Sequence, residues 1–339
     1  MSLRSSGRPD AVARQMKSLD RRHRIALLLS ALVAGGTVVA IAASYSPGAL
    51  WDTLRQIEPQ WLAVAFGFEL LSYVGYVMAY RSMVLDGREE RLSLVLVVRL
   101  VVAGFGPFVP LGGFSFDRRA LGSVHRSRRE ARRQVLSLGV IEYALLAPAA
   151  CVCALILLLE AKASPALTLP WVFGVPAGFA LAVWATRPAI VLRFERGGRL
   201  RRGIGEVLVG ASVLREVVRR PLERPGAVTG MAIYWAAEIA CLAFALRCFG
   251  VELSVPALVV AYATGYAASR RSLPLGGAGV TEALLTIALI AVHVPAPQAL
   301  LSVVAYRVVN FLVPTLPSLL AHSSVASMLE EPAPGKARV

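Results

Sequence analysis

Acidic residues, cysteines and histidines are all scarce in this chain. It has 21 aspartates and glutamates among 339 residues, with four cysteines and four histidines. No Cys-x-x-Cys pair occurs, and the histidines are scattered without the spacing of metal ligands. We therefore expect neither a bound metal nor a cofactor.

Apolar residues are abundant instead. Hydrophobic residues make up 56% of the sequence and charged residues 17%, with a mean hydropathy of +0.63. A helix needs roughly 20 apolar residues to cross about 30 Å of hydrocarbon. Runs that approach this length lie at 25–43, 61–85, 135–159, 167–186, 227–246 and 299–321, and two others, 92–111 and 256–294, are interrupted by glycine and proline. The composition predicts an all-α polytopic membrane protein.

Basic residues exceed acidic residues by 15 and cluster in short loops beside the apolar runs. Such loops lie mainly in the cytoplasm and attract anionic lipid headgroups. We expect a protein of the cytoplasmic membrane, with both termini in the cytoplasm and anionic lipids of the inner leaflet as partners. This distribution argues against nucleic acid as a partner.

The tetrapeptide Pro-Leu-Gly-Gly occurs twice, at 110–113 and at 274–277. A short loop with Arg88 and Arg91 precedes the run 92–111 and a strongly basic stretch at 118–133 follows it. The positive-inside rule assigns both to the cytoplasm. A single run between them must enter the membrane and return, so we predict a re-entrant hairpin over 92–125. The alternative is an ordinary span with a loop that departs from the rule. For 255–295, a hairpin and two full spans both remain open.

The two halves then match in opposite orientations. We predict about six full spans and two re-entrant hairpins broken by proline and glycine, arranged as an inverted-topology repeat. The predicted segments are a basic cytoplasmic segment (1–24), a first membrane half (25–186), a basic cytoplasmic linker with an amphipathic helix (187–225), a second membrane half (226–322) and a polar cytoplasmic tail (323–339).

Ionisable residues within apolar runs are costly to insert and are therefore functional candidates. They include Glu69, Arg99, Glu142, Glu238, Glu282 and Arg307, with Arg270 and Arg271 just before the second tetrapeptide. We expect Glu142, Glu238, Glu282 and Arg307 to act in coupling or gating. The alternative for each residue is an internal pair of arginine and glutamate with a structural role.

The broken backbone at the two tetrapeptides predicts an anion site. A half-helix that begins at each glycine pair would present free N–H groups and the positive end of its dipole to a central cavity. Guanidinium groups near both turns would complete a site for phosphate. The expected substrate-binding residues are Arg99, Gly112, Gly113, Arg118, Arg119, Arg270, Arg271, Gly276 and Gly277.

Several motifs carry a resemblance to a known family. The stretch 273–285, which includes the second tetrapeptide, and the stretch 305–310 (Ala-Tyr-Arg-Val-Val-Asn) are the most specific. Together with 106–121, 140–143 and 80–81, they resemble the lysylphosphatidylglycerol synthase transmembrane-region family of flippase-like membrane domains. The resemblance implies translocation of a lipid headgroup, with Arg118, Glu142, Glu282 and Arg307 at motif positions.

The chain departs from the family pattern in three respects. Tyr143 stands where the family often has arginine, and Phe114 and Phe116 replace more polar residues. The sequence also lacks the large aminoacyl-transferase domain of the two-part synthases. We therefore expect that it does not make lysyl-lipid by itself.

From these features we predict a transporter rather than an enzyme. It would be a flippase that moves an anionic phospholipid or a polyprenyl-phosphate-linked sugar by alternating access. One alternative is a polyprenyl-phosphate glycosyltransferase, although the first outside loop offers only Asp52 and Glu58 as carboxylates. Others are a non-catalytic partner of an envelope-biosynthesis enzyme and a transporter of ions or amino acids, because repeat architecture alone does not identify a cargo.

Overall fold

Helices form all the regular secondary structure in the part of the chain that the structure, a computed structural model, describes. The described residues are 36, 39, 43, 47–84, 91–105, 113–124, 128–195, 204, 205, 208, 209, 212, 225–266 and 279–330. Their helices are α1 (Pro47–Arg55), α2 (Gln60–Met83), α3 (Leu94–Phe105), α4 (Gly113–Val124), α5 (Arg128–Leu159), α6 (Pro165–Ala185), α7 (Pro188–Glu195), α8 (Pro225–Arg247), α9 (Val255–Tyr266), α10 (Val280–Ala291) and α11 (Ala296–Glu330).

Among the described residues, four helices, α2, α5, α6 and α8, are long and apolar enough to cross a membrane. They contain 24, 32, 21 and 23 residues, whereas a span needs roughly 20. The apolar helices α3, α9 and α10 have 12 residues each, which gives a length of about 18 Å. A helix of this length cannot cross the hydrocarbon alone. The last helix, α11, extends over 35 residues.

Helices α2 and α8 form an antiparallel pair at the centre of the bundle. Gly75 of α2 meets Gly230 near the start of α8, whereas the earlier Phe68 stacks on Phe244 near the end of α8, with ring centroids 5.3 Å apart. A Cβ on Gly75 would lie 2.6 Å from the carbonyl oxygen of Gly230. Small residues at such a crossing let two membrane helices approach closely.

The end of this pair near Phe244 is closed by contacts across the helices. The Glu58 N–H donates to the Cys248 carbonyl oxygen at 2.9 Å. Arg247 forms an ion pair with Glu252, and its guanidinium lies 5.1 Å from the centroid of the Trp61 ring. Because of these two contacts, the charge of Arg247 is satisfied within the protein. At the same end, burial, with a smaller contribution from the negative charge of Glu58, raises the pKa of the Cys248 thiol.

The other helices surround the central pair. Helix α3 packs against α4 and α11, and α9 packs against α10 and α5. Helix α4 also contacts α5, and α10 contacts α11, while α2 and α8 each contact both α5 and α11. Helix α6 packs on α5, and Trp171 Nε1 on α6 donates to Thr264 Oγ1 on α9 at 2.8 Å. Two of the shorter helices, α3 and α9, therefore each lie against a long helix that is distant in sequence, α11 and α5 respectively.

The long helices agree with the predicted apolar runs to within a few residues, except that α5 begins at Arg128 and α11 continues to Glu330. In the interrupted runs, the structure describes α3 (Leu94–Phe105) in the first run, and α9 (Val255–Tyr266) and α10 (Val280–Ala291) in the second. Residues 110–112, the second tetrapeptide and most of the run 25–43 lie outside the described residues. The two re-entrant hairpins and the count of six spans therefore stay predictions.

We predict that Gly75→Ala destabilises the protein. The added methyl group would meet backbone atoms of α8, and overpacking of this kind costs about 1–3 kcal/mol. Gly67→Ala is the matched control, because nothing lies within 4 Å of a Cβ at that position of the same helix. The melting temperature in detergent should fall for Gly75→Ala alone, and equal melting temperatures would contradict the close approach.

Candidate functional site

In the part of the chain that the structure describes, four glutamates lie buried inside the helical bundle. They are Glu69, Glu142, Glu238 and Glu282, and the most exposed of them is 7% accessible. A carboxylate in an apolar bundle is costly unless hydrogen bonds or opposite charges stabilise it. The groups that surround these carboxylates therefore define the candidate site.

Glu238, near the middle of α8, accepts hydrogen bonds from three hydroxyl groups. Ser72 Oγ of α2 donates to Oε1 at 3.1 Å. The hydroxyls of Tyr262 on α9 and Tyr306 on α11 donate to Oε2 at 3.2 and 2.8 Å. Because each donor comes from a different helix, the carboxylate joins four helices at one point.

Asn310 of α11 connects Glu238 to a second carboxylate. Its Nδ2 donates to Glu69 Oε1 at 3.0 Å and, more weakly, to Glu238 Oε2 at 3.5 Å. Its Oδ1 accepts from Arg307, one turn earlier on the same helix, at 3.4 Å. One amide therefore contacts two acids and a base. We call these connected residues the central polar network: Glu69, Ser72, Glu238, Tyr262, Glu282, Tyr306, Arg307 and Asn310.

Glu282 and Arg307 form the buried ion pair of this network. Arg307 Nε donates to Glu282 Oε1 at 2.6 Å, and the guanidinium lies 4.3 Å from the centroid of the Phe311 ring. The other oxygen, Oε2, accepts the backbone N–H of Gly279, whose φ of 87° suits glycine. Helix α10 begins at Val280. Glu282 thus caps the positive end of the helix that follows the second tetrapeptide.

Glu142 of α5 is connected to the same core through aromatic side chains. The Tyr76 hydroxyl donates to Glu142 Oε2 at 3.2 Å. Trp235 Nε1 donates to the Glu142 backbone carbonyl at 2.7 Å and packs edge-on against Tyr262, with ring centroids 5.9 Å apart. Since Tyr262 also bonds Glu238, aromatic side chains link the surroundings of the two acids.

The predicted coupling residues are all buried in the bundle, whereas two of the predicted binding residues lie at its surface. Arg99 on α3 and Arg118 on α4 are exposed, and neither forms a hydrogen bond or ion pair with a described residue. Gly113 is buried at the start of α4. The remaining predicted binding residues lie outside the described residues or, for Arg119, outside the described side chains: Gly112, Arg119, Arg270, Arg271, Gly276 and Gly277.

The sequence interpretation missed the neutral donors of the site. These are Ser72, Tyr76, Tyr262, Tyr306 and Asn310. A signal existed, because each is a polar group within an apolar run. Tyr306 and Asn310 also fall in the motif at 305–310, and a spacing of four residues places them on one face of a helix.

The network can rearrange its hydrogen bonds. Its carboxylates face hydroxyl groups that can both donate and accept, so a change of protonation need not leave a neighbour unsatisfied. Within the described ranges, no three histidine, cysteine, aspartate or glutamate side chains lie together as metal ligands.

Long apolar helices around a buried polar centre define a multi-pass helical membrane protein. The family described as the lysylphosphatidylglycerol synthase TM region matches residues 25–318. Because the match covers most of the chain, the protein belongs to this family, and the resemblance noted in its motifs is confirmed. No protein with a curated description matches the chain.

We predict that Glu282→Gln strongly destabilises the protein. Removal of one partner from a buried ion pair costs about 3–5 kcal/mol, whereas loss of an exposed pair costs at most about 1 kcal/mol. Glu252→Gln, which disrupts the exposed pair with Arg247, is the matched control. Thermal unfolding in detergent should show a much larger fall for Glu282→Gln, with partial recovery in the double variant Glu282→Gln and Arg307→Gln. Equal melting of the two single variants would count against the buried pair.

Proposed function

We propose that the protein moves an anionic, phosphate-bearing lipid headgroup across the cytoplasmic membrane, and that the central polar network lies on its path. The lipid is a phospholipid or a polyprenyl-phosphate-linked sugar, and both chain termini face the cytoplasm. The observation that carries the proposal is the buried network itself, in a protein whose family is named for a phospholipid synthase.

The position of the network supports this path. Glu69 lies near the middle of α2 and Glu238 near the middle of α8. A charged group at the centre of the hydrocarbon costs several kcal/mol, about 2.5–3.5 on insertion scales. A polar centre at this depth would lower the corresponding barrier for a headgroup.

An inverted repeat would supply the movement. If α2 and α8 correspond, then α3, α4 and α5 correspond to α9, α10 and α11. The observed contacts are reciprocal under this correspondence, because α3 packs on α11 as α9 packs on α5. The antiparallel crossing of α2 and α8 and the 12-residue lengths of α3, α4, α9 and α10 also support two hairpins of opposite orientation. Halves related in this way can rock around a fixed site.

We assign separate roles to the charged residues. Arg118 is accessible on the helix that follows the first tetrapeptide and would bind the phosphate, with Arg99, Arg119, Arg270 and Arg271 as further predicted contacts. The pair of Glu282 and Arg307 would act as a gate, because opening it frees both charged groups at once. Glu238 and Glu142 would couple movement to protonation through their hydroxyl neighbours.

Reconstitution into liposomes tests this function. A fluorescent phosphatidylglycerol or polyprenyl-phosphate analogue in the inner leaflet should become accessible to an external quencher in vesicles that contain the protein. Arg118→Ala should slow this exchange about tenfold, as expected for the loss of one charge-assisted contact, without a change in melting temperature. Gly67→Ala is the control and should retain the full rate.

Two results would overturn the proposal. One is that no analogue moves between the leaflets, and the other is that Arg118→Ala and Glu282→Gln both leave the rate unchanged. Transfer of a labelled sugar by the purified protein would instead support the glycosyltransferase. Stable co-purification with an envelope enzyme, with tolerance of both substitutions, would support the non-catalytic partner.

A further inference from the structure

We propose that a cavity between the end of α2 and the start of α8 binds the headgroup of an anionic phospholipid. The cavity has a volume of about 540 Å³. Two arginines line it, Arg81 near the end of α2 and Arg91 just before α3. Pro225 and Gly226, the first residues of α8, form part of the opposite wall.

Both arginines are accessible at the cavity. Arg81 and Arg91 are exposed, and neither makes a hydrogen bond or ion pair with any described residue. At the opposite end of the same helix pair, Arg247 is paired with Glu252 and lies against Trp61. Two guanidinium groups that line one cavity can each form charge-assisted hydrogen bonds with a phosphate group.

The rest of the lining favours a lipid over a soluble phosphate. Val74, Val77, Met78 and Leu94 contribute apolar wall next to the arginines. Val74 is 60% exposed and Leu94 is 51% exposed, so the apolar surface continues from the cavity to the outside of the bundle. Contact with this surface would stabilise the glycerol and upper acyl chains of a lipid, whereas inorganic phosphate would gain nothing from it.

This site would add a lipid-binding step to the proposed function, and its role in transport rests on that function. It would hold the headgroup at the membrane surface before the headgroup enters the central polar network. The positive-inside rule assigns this end of the bundle to the cytoplasm, because the adjoining short loop carries Arg88 and Arg91. Binding itself requires no transport, so the two proposals can be tested separately.

Calorimetric titration of the purified full-length protein with short-chain phosphatidylglycerol tests the site. Arg81→Gln and Arg91→Gln should each weaken binding about tenfold, and short-chain phosphatidylcholine should bind more weakly than phosphatidylglycerol. Arg187→Gln, which removes an exposed arginine after α6, is the matched control and should bind like the wild type. Arg91 lies outside the helices, so Arg91→Gln decides the matter if Arg81→Gln does not fold.

Three outcomes would overturn the site: unchanged affinity in Arg91→Gln, equal affinity for phosphatidylcholine, or equally tight binding of free glycerol phosphate. Specific binding without lipid exchange in liposomes would keep this site and refute the proposed function. Lipid exchange without specific binding would refute this site alone.

Discussion

A buried carboxylate needs hydrogen-bond donors, and Glu238 of α8 receives them from three other helices. Ser72, Tyr262 and Tyr306 can reach Glu238 only if α2, α9 and α11 all lie close to α8. The crossing of Gly75 and Gly230 allows the closest of these approaches. The glycines therefore do more than pack two helices, because the same contact holds Ser72 against the carboxylate. Packing between the helices and solvation of the buried charge depend on each other.

The sequence predicted the long helices well, because a span leaves a continuous apolar run whose length follows from the thickness of the membrane. It also identified the buried acids as candidates, since a charged residue in such a run is costly to insert into the membrane. It did not identify the hydrogen-bond donors of these acids. A tyrosine such as Tyr262 can equally well be a hydrophobic core residue, and the partner of its hydroxyl depends on how each helix is rotated about its axis. For Glu282, a structural pair and a functional role were both open, and the structure shows the pair with Arg307. The anion site at the two tetrapeptides stays a prediction, because most of its residues lie outside the described ranges.

Two polar centres of different character lie along the pair of α2 and α8. The cavity at Arg81 and Arg91 is lined by two exposed guanidinium groups, as suits first contact with a phosphate group. The central polar network is buried, and its carboxylates are held by neutral hydroxyl and amide donors and by one arginine. An anionic headgroup would not rest beside Glu238 while that carboxylate is charged. In the proposed cycle, passage of the headgroup therefore goes together with protonation of the network or with the opening of the pair between Glu282 and Arg307.

Accessibility of the network from the two faces of the membrane is the most direct test of the proposal that it lies on a transport path. Ser72→Cys, in a background without the four native cysteines, would place a thiol beside Glu238. Alternating access predicts that a membrane-impermeant thiol reagent modifies this position when added to either face, whereas Gly67→Cys, which has open space around it on the same helix, stays unmodified in the lipid. A thiol at position 72 that reacts from only one face, or from neither, would contradict the account.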